Sequence, residues 1–215
     1  PLLQLAQFYE QMPWWVLTLL IMSTICIAAG GYIINDYFDV KIDRINHPED
    51  LVVTRYISRE GAMRLFQVLT ILGVIMGLVV AWWARSWTLV MIFIVIPGLL
   101  WFYSASYKRQ LVIGNIVVAF ISAIVPLLVA IANADYLCHL YQENLVYSPI
   151  VGQLYVWTSG FSLFAFLITL AREMVKDIED KEGDQEMECR TIPIVWGDKI
   201  TKIIVSIILI ITAAL

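Results

Sequence analysis

Long uncharged stretches alternate with short charged segments along the chain. Five stretches contain no Asp, Glu, Lys or Arg: residues 11–35, 65–84, 86–107, 110–134 and 144–171. Each can hold a helix of about 20 residues, the length that crosses the hydrocarbon core of a bilayer. A sixth uncharged run, 203–215, reaches the last residue of the sequence. The pattern predicts one all-α domain over residues 1–215, a transmembrane bundle of five full spans and the start of a sixth.

Composition agrees with this pattern. The 215 residues are 60% hydrophobic and 15% charged, against roughly 45–50% and about 25% in soluble domains. An ordinary soluble domain is therefore excluded. We expect a fragment truncated at both ends, because the chain begins at Pro1 rather than Met and stops inside an apolar helical pattern at Leu215. The net charge of −4 gives no reason to expect a nucleic-acid partner.

The basic residues predict the orientation of the spans. Thirteen of the 14 Lys and Arg residues fall in the segments 35–64, 108–109 and 172–202, and only Arg85 falls on the other side. These segments are alternate loops of the five-span arrangement, and short loops rich in Lys and Arg stay on the cytoplasmic side. We expect an integral protein of the cell (inner) membrane. Its acidic segments should face the cytoplasm, since 15 of the 18 acids share those loops.

The first acidic cluster directly follows the first span and reads N-D-Y-F-D-V-K-I-D. Asp36, Asp39 and Asp43 stand at i, i+3 and i+7, so they share one face if the helix of the span continues. Carboxylates so close together repel one another unless a cation lies among them. A hard divalent cation held through oxygen ligands is the natural partner.

A second cluster, D-I-E-D-K-E-G-D, directly follows the fifth span. Asp177, Asp180 and Asp184 have the same spacing, and Gly183 is a predicted place for the helix to break. The two clusters can face each other across a bundle and hold two or three metal ions. Mg²⁺ completes its coordination shell with phosphate oxygens, which indicates a diphosphate substrate with its lipid tail in the apolar helices. Nearby cations would complement the remaining phosphate charge: Arg44, Lys108, Arg109, Arg172 and Lys176.

These motifs resemble those of the UbiA superfamily of intramembrane prenyltransferases. The first cluster is similar to its N-D-x-x-D-x-x-x-D motif and the second to its D-x-x-D-x-x-G-D motif, in the expected order. Residues 103–115, Y-S-A-S-Y-K-R-Q-L-V-I-G-N, resemble the tyrosine and lysine loop of the family. The resemblance covers essentially the whole chain.

The resemblance implies Mg²⁺-dependent transfer of a polyprenyl group from a polyprenyl diphosphate to a lipophilic or aromatic acceptor within the lipid membrane. It implies catalytic roles for Asp36, Asp39, Asp177, Asp180 and Lys108. Metal ligands would be Asn35, Asp36, Asp39, Asp43, Asp177, Asp180 and Asp184. The remaining implied substrate-binding residues are Asn35, Arg44, Tyr103, Tyr107, Lys108, Arg109, Asn115, Arg172 and Lys176. Tyr103, Tyr107 or Trp101 would stabilise the allylic cation with their ring faces.

Two segments depart from the usual pattern of the family. Residues 46–50 read N-H-P-E-D where many members have N-x-P-x-R-P, which leaves Arg55 or Arg59 as a replacement for the missing basic residue. Lys108 follows Tyr103 by five positions instead of four. The pattern I-N-x-P-E followed by I-S-R resembles members that act on geranylgeranylglycerol phosphate more than members that act on aromatic acids.

Other functions fit the sequence less well. A CDP-alcohol phosphotransferase would resemble D-G-x-x-A-R, which does not occur here, and a soluble polyprenyl synthase would be far less hydrophobic. A cation transporter or channel is the alternative outside enzymes, but it should carry ionisable residues at mid-membrane depth. An aromatic-acceptor prenyltransferase of quinone biosynthesis is the alternative within the resemblance.

Overall fold

The computed structural model describes residues 12–46, 48–49, 51–141 and 149–215. His47, Asp50 and the first residues of the uncharged run at 144–148 lie outside them. The described residues form eight α-helices: α1 (Trp14–Asn46), α2 (Arg59–Trp83), α3 (Trp87–Ala105), α4 (Ile113–Tyr141), α5 (Ile150–Glu179), α6 (Lys181–Glu186), α7 (Ile192–Val195) and α8 (Asp198–Ala214). A 3₁₀ turn, Tyr107–Arg109, lies between α3 and α4. The all-α prediction is confirmed for this part of the chain.

Helices α1 to α5 are long and apolar enough to cross a membrane, as the five uncharged runs predict. Their outward surfaces are apolar as well: Trp82 is 74% exposed and Ile71 is 58% exposed. Side chains of this kind are stable when they face lipid and unfavourable when they face water. The structure therefore supports an integral membrane protein.

Small residues let α2 approach its neighbours closely. Gly73 contacts α1, where the Ser23 hydroxyl donates a hydrogen bond of 2.6 Å to its carbonyl oxygen. Gly77 lies against the Phe93 ring of α3, and a Cβ atom there would come within 2.4 Å of that ring. Close approach at small residues is a common way for helices to pack where lipid supplies no hydrophobic drive. The resulting core joins α1 to α4 and includes Leu20, Val80 and Leu128.

Helices α2 and α3 each begin with a side-chain cap. Ser58 accepts a hydrogen bond from the backbone N–H of Gly61 at the start of α2, and Ser86 accepts one from Leu89 at the start of α3. Such caps satisfy backbone donors that have no partner within the helix. Helix α1 has no break after the first span and continues through its acidic segment to Asn46. This confirms the helical face predicted for the first cluster.

The break after the fifth span differs from its prediction. Helix α5 ends at Glu179, Asp180 is the joint, and α6 begins at Lys181, so the prediction of a break at Gly183 is wrong. Gly183 lies inside α6, against the end of α1. A Cβ atom at this position would come within 2.7 to 2.9 Å of the Asn46 side chain, so a larger residue would displace that side chain.

Candidate active site

The two acidic clusters meet in one small pocket. It has a volume of about 40 Å³ and lies between the ends of α1, α4, α5 and α6. Five of its lining residues are aspartates: Asp39, Asp43, Asp177, Asp180 and Asp184. The other polar lining residues include Asn35, Tyr103, Lys108, Asn115, Glu173 and Lys176. Sequence positions almost 150 residues apart therefore form one site.

Asp39 is the centre of the first cluster. It is only 4% exposed, and it accepts a hydrogen bond of 2.8 Å from the Asn35 side-chain amide, one turn earlier in α1. Its other oxygen forms an ion pair with the Lys108 ammonium. Asn35 and Asp39 thus act as a unit at the inner end of the pocket.

Asp177, in the second cluster, is also held by an asparagine side chain. The Asn115 side chain, on the first turn of α4, donates a hydrogen bond of 2.8 Å to its Oδ2 atom. This contact orients the carboxylate from a helix that carries no acidic cluster. Asp180 and Asp184 line the same pocket although the helix breaks between Asp177 and Asp184.

Lys108 places a buried ammonium group between the clusters. Burial lowers its pKa to about 8, with Lys176 and Arg109 acting in the same direction and Asp184 opposing them. Burial also raises the pKa of Asp184 above its ordinary value, with a further contribution from Asp180. The pocket therefore combines costly buried charges of both signs, an arrangement typical of functional sites.

An apolar cavity adjoins the acidic pocket. Its volume is about 430 Å³, and it runs between α1, α3, α4 and α5 along side chains such as Ile96, Leu100 and Val125. Four residues line both spaces: Asn35, Tyr103, Glu173 and Lys176. The two spaces therefore adjoin each other at these side chains.

The structure does not bring every predicted site residue to these two spaces. Asp36 is absent from both linings, although Lys176 and Lys108 are its main countercharges. Arg44 and Arg109 are exposed, and Tyr107 stacks on Phe102. Among the proposed cation-stabilising aromatics, only Tyr103 lines the cavity. Asp36, Arg44, Arg109 and Tyr107 are close to the motifs in sequence, but their side chains do not line the acidic pocket or the apolar cavity.

The two replacement arginines also point elsewhere. The Arg55 guanidinium donates to the backbone oxygen of Glu49 at 2.9 Å, and Arg59 lies over the Tyr37 ring. Neither side chain lines the acidic pocket. The structure gives no support to a phosphate contact from Arg55 or Arg59.

Asn46 is a contact residue that the sequence does not reveal. Its side-chain amide donates to the backbone oxygen of Asp180 at 3.0 Å, and its Oδ1 atom accepts from the backbone N–H of Gly183 at 2.9 Å. This pair of bonds, the Asn46 clamp, ties the end of α1 to the break between α5 and α6. Cys189, to which the sequence assigns no function, also lines the pocket.

We expect Gly183→Ala to disrupt the clamp. The new methyl group would overlap Asn46, and each part-buried hydrogen bond that is lost costs about 0.5–1.5 kcal/mol. Thermal unfolding in detergent should show this loss. In Gly183→Ala/Asn46→Ala the overlap disappears, so the two effects should be non-additive. The matched control is Gly160→Ala in α5, where a Cβ atom meets nothing within 4 Å; equal losses in both glycine variants would contradict the prediction.

Fold and site together define a class: a membrane-spanning helical protein in which a carboxylate-lined pocket adjoins an apolar cavity. Such a site suits an amphiphile whose anionic head binds the carboxylates through divalent cations. Residues 4–215 match the sequence profile of the UbiA prenyltransferase family. The chain belongs to this family, which confirms the resemblance carried by its motifs.

Named relatives point in the same direction. The chain is 33% identical over 197 residues to a digeranylgeranylglyceryl phosphate synthase of Methanobrevibacter smithii, which covers 92% of this chain and 64% of the relative. A protein of the same name from Ignicoccus hospitalis is 35% identical over 175 residues, covering 81% of this chain and 52% of the relative. The chain thus spans less than two thirds of the length of these two relatives.

A solved structure of a digeranylgeranylglyceryl phosphate synthase in membranes has a similar fold. The TM-score is 0.63 at 25% identity, and the superposition covers 98% of this chain and 66% of that one. This match confirms the predicted bundle type.

Proposed function

We propose that this protein transfers a polyprenyl group from a polyprenyl diphosphate to geranylgeranylglyceryl phosphate within the membrane. The observation that carries the proposal is that the acidic pocket and the apolar cavity adjoin each other, with Asn35, Tyr103, Glu173 and Lys176 in both linings. A diphosphate head and a prenyl tail need these two environments side by side. The names of the relatives support the choice of acceptor.

The donor set of the acidic pocket fits Mg²⁺. Carboxylate and amide oxygens are its preferred ligands, and it takes only one or two carboxylates per ion, with water and phosphate oxygens completing the shell. Accordingly, Mg²⁺ does not require a cage of three acids, and no such cage exists among the described residues. The proposed ligands are the residues that line this pocket, Asn35, Asp39, Asp43, Asp177, Asp180 and Asp184; Asp36, which the resemblance also implies, lies outside the lining. When bound, the metal would neutralise charge on the leaving diphosphate.

The chain itself supplies the other parts of the reaction. Lys108 and Lys176 line the acidic pocket and provide positive charge for the diphosphate. Loss of diphosphate leaves an allylic cation at the junction of the two spaces. There the Tyr103 ring can stabilise the cation, while the apolar walls exclude water that would capture it. We place the acidic end of the bundle at the cytoplasmic side of the cell membrane, on the basis of the Lys and Arg distribution.

The test offers two acceptors to the full-length protein in lipid vesicles with radiolabelled geranylgeranyl diphosphate. We expect Mg²⁺-dependent prenylation of geranylgeranylglyceryl phosphate and none of 4-hydroxybenzoate, with loss of activity on addition of a chelator. Transfer to 4-hydroxybenzoate alone would support the aromatic-acceptor alternative. Absence of any Mg²⁺-dependent donor turnover would contradict the enzymatic proposal and favour a transporter or channel.

A further inference from the structure

Glu173 has a special position among the acids of this protein. It lies on α5 one turn before Asp177 and is only 7% exposed. Among the described residues that line the apolar cavity, it is the single carboxylate, and it also lines the acidic pocket. A buried acid at the junction of an apolar space and a charged one costs free energy, and such costly groups are typical of functional sites.

We propose that Glu173 is the general base of the transfer step. This inference rests on the proposed function, because a glycerol hydroxyl must lose its proton as it attacks, whereas an aromatic ring loses its proton afterwards. With the diphosphate in the acidic pocket and the prenyl chain in the cavity, C1 of the donor lies between them. Glu173 lines both spaces at that point, within reach of an acceptor oxygen that approaches C1.

The contacts of Glu173 leave it able to accept a proton. The Arg172 guanidinium pairs with Oε1 at 3.0 Å, and the Tyr103 hydroxyl donates to Oε2 at 3.4 Å. A carboxylate has about four lone-pair sites on its two oxygens, so these partners orient the group and still allow a third hydrogen bond. The Tyr103 and Arg172 contacts hold the carboxylate at the junction.

Arg172 adds a reason to place the acceptor here. The Arg172 side chain is 63% exposed, whereas the Glu173 side chain is 10% exposed. The ion pair therefore has its cation on the accessible side and its carboxylate on the buried side. A glycerol phosphate has the matching polarity, with a phosphate and a free hydroxyl a few bonds apart. Arg172 would bind the phosphate while the hydroxyl points to Glu173.

The bond between C1 and the diphosphate oxygen breaks, and the diphosphate leaves with the electron pair. A lone pair of the acceptor oxygen forms the new ether bond to C1, and the hydroxyl proton passes to the Glu173 carboxylate. No oxidant, reductant or further reactant is needed.

The experiment compares Glu173→Gln with wild type in vesicles containing Mg²⁺, geranylgeranyl diphosphate and geranylgeranylglyceryl phosphate. Ether product, diphosphate and free prenol are quantified separately. We expect ether formation to fall about 10²-fold or more while diphosphate release persists, so that water captures the cation and prenol replaces ether. Glu173→Asp should restore part of the ether yield. Glu179→Gln, an exposed acid on the same helix, is the matched control.

The possible outcomes separate the two proposals. A Glu173→Gln variant that makes ether within tenfold of the wild-type rate would overturn the base assignment and leave the proposed function intact. A parallel fall of ether formation and diphosphate release, with an unchanged product ratio, would also overturn it, because this is the signature of a purely structural role. Wild-type transfer to 4-hydroxybenzoate alone would overturn the acceptor assignment and, with it, the need for this base.

Discussion

Asp39→Asn is expected to reduce prenyl transfer by about 10⁴-fold or more, the range seen when one member of a catalytic unit is removed. The substitution keeps the size of the side chain and removes its charge. Asp39 is buried, is oriented by Asn35 and pairs with Lys108. Initial rates with saturating donor and acceptor, at a series of Mg²⁺ concentrations, measure the effect.

Two further variants make this prediction specific. Asp180→Asn should show a comparable loss, and the double variant should be little worse than either single one, because the two clusters act on one diphosphate. Glu60→Gln is the control: the Glu60 side chain is 85% exposed and pairs with Arg64 across one helical turn. If Asp39→Asn kept more than a tenth of wild-type transfer while inserting normally into membranes, the two-cluster site would be wrong.

Lys108→Met is expected to lower kcat/KM for the donor diphosphate by about 10³-fold. It removes a buried ammonium that faces the clusters and leaves Asp39 without its ion-pair partner, and loss of one preorganised electrostatic group typically costs about 10²–10³-fold in rate. In the wild type, kcat/KM should also depend on pH. Because burial lowers the pKa of Lys108 to about 8, the group is charged below that pH, and kcat/KM should fall as the pH rises through it.

Lys108→Arg tests this pH dependence without removing the charge. A guanidinium stays protonated throughout the range, so the fall above pH 8 should disappear even if the absolute rate is lower. Lys199→Met, an exposed site on α8, serves as the control for loss of a positive charge at the same end of the bundle. An unchanged pH profile in Lys108→Arg would show that another group governs the dependence.

The sequence predicts the bundle and the acidic face well because both depend on local periodicity. Lipid imposes long apolar runs, and the 3.6-residue repeat places Asp36, Asp39 and Asp43 on one side of a continuous helix. The five candidate spans confirm the predicted bundle. The length of α1 confirms the continuous helix that carries the acidic face. No knowledge of distant contacts is needed for either.

The parts of the site that the sequence misses depend on contacts between distant segments. Asn46 meets residues more than 130 positions away, and nothing in its neighbourhood along the chain indicates this. Glu173 carries a weak local signal, since it lies four residues before Asp177 and therefore on the same helical face. Conversely, Arg44 and Arg109 adjoin the motifs in sequence but are exposed. For Lys and Arg residues, closeness to a motif in sequence does not show whether the side chain lines the acidic pocket or the apolar cavity.

The Asn46 clamp has a consequence for how such a site can be altered, by design or by descent. The asparagine follows the first acidic motif, and its glycine partner lies within the second. Suppose that a relative has other residues at the positions of Asn46 and Gly183. Transplanting only one of the two motifs from that relative would then cause a steric clash or leave a gap. A chimaera that exchanges both segments together keeps the match. In a lineage of descendants, a larger residue in place of the glycine would require the asparagine side chain to move away or to become smaller.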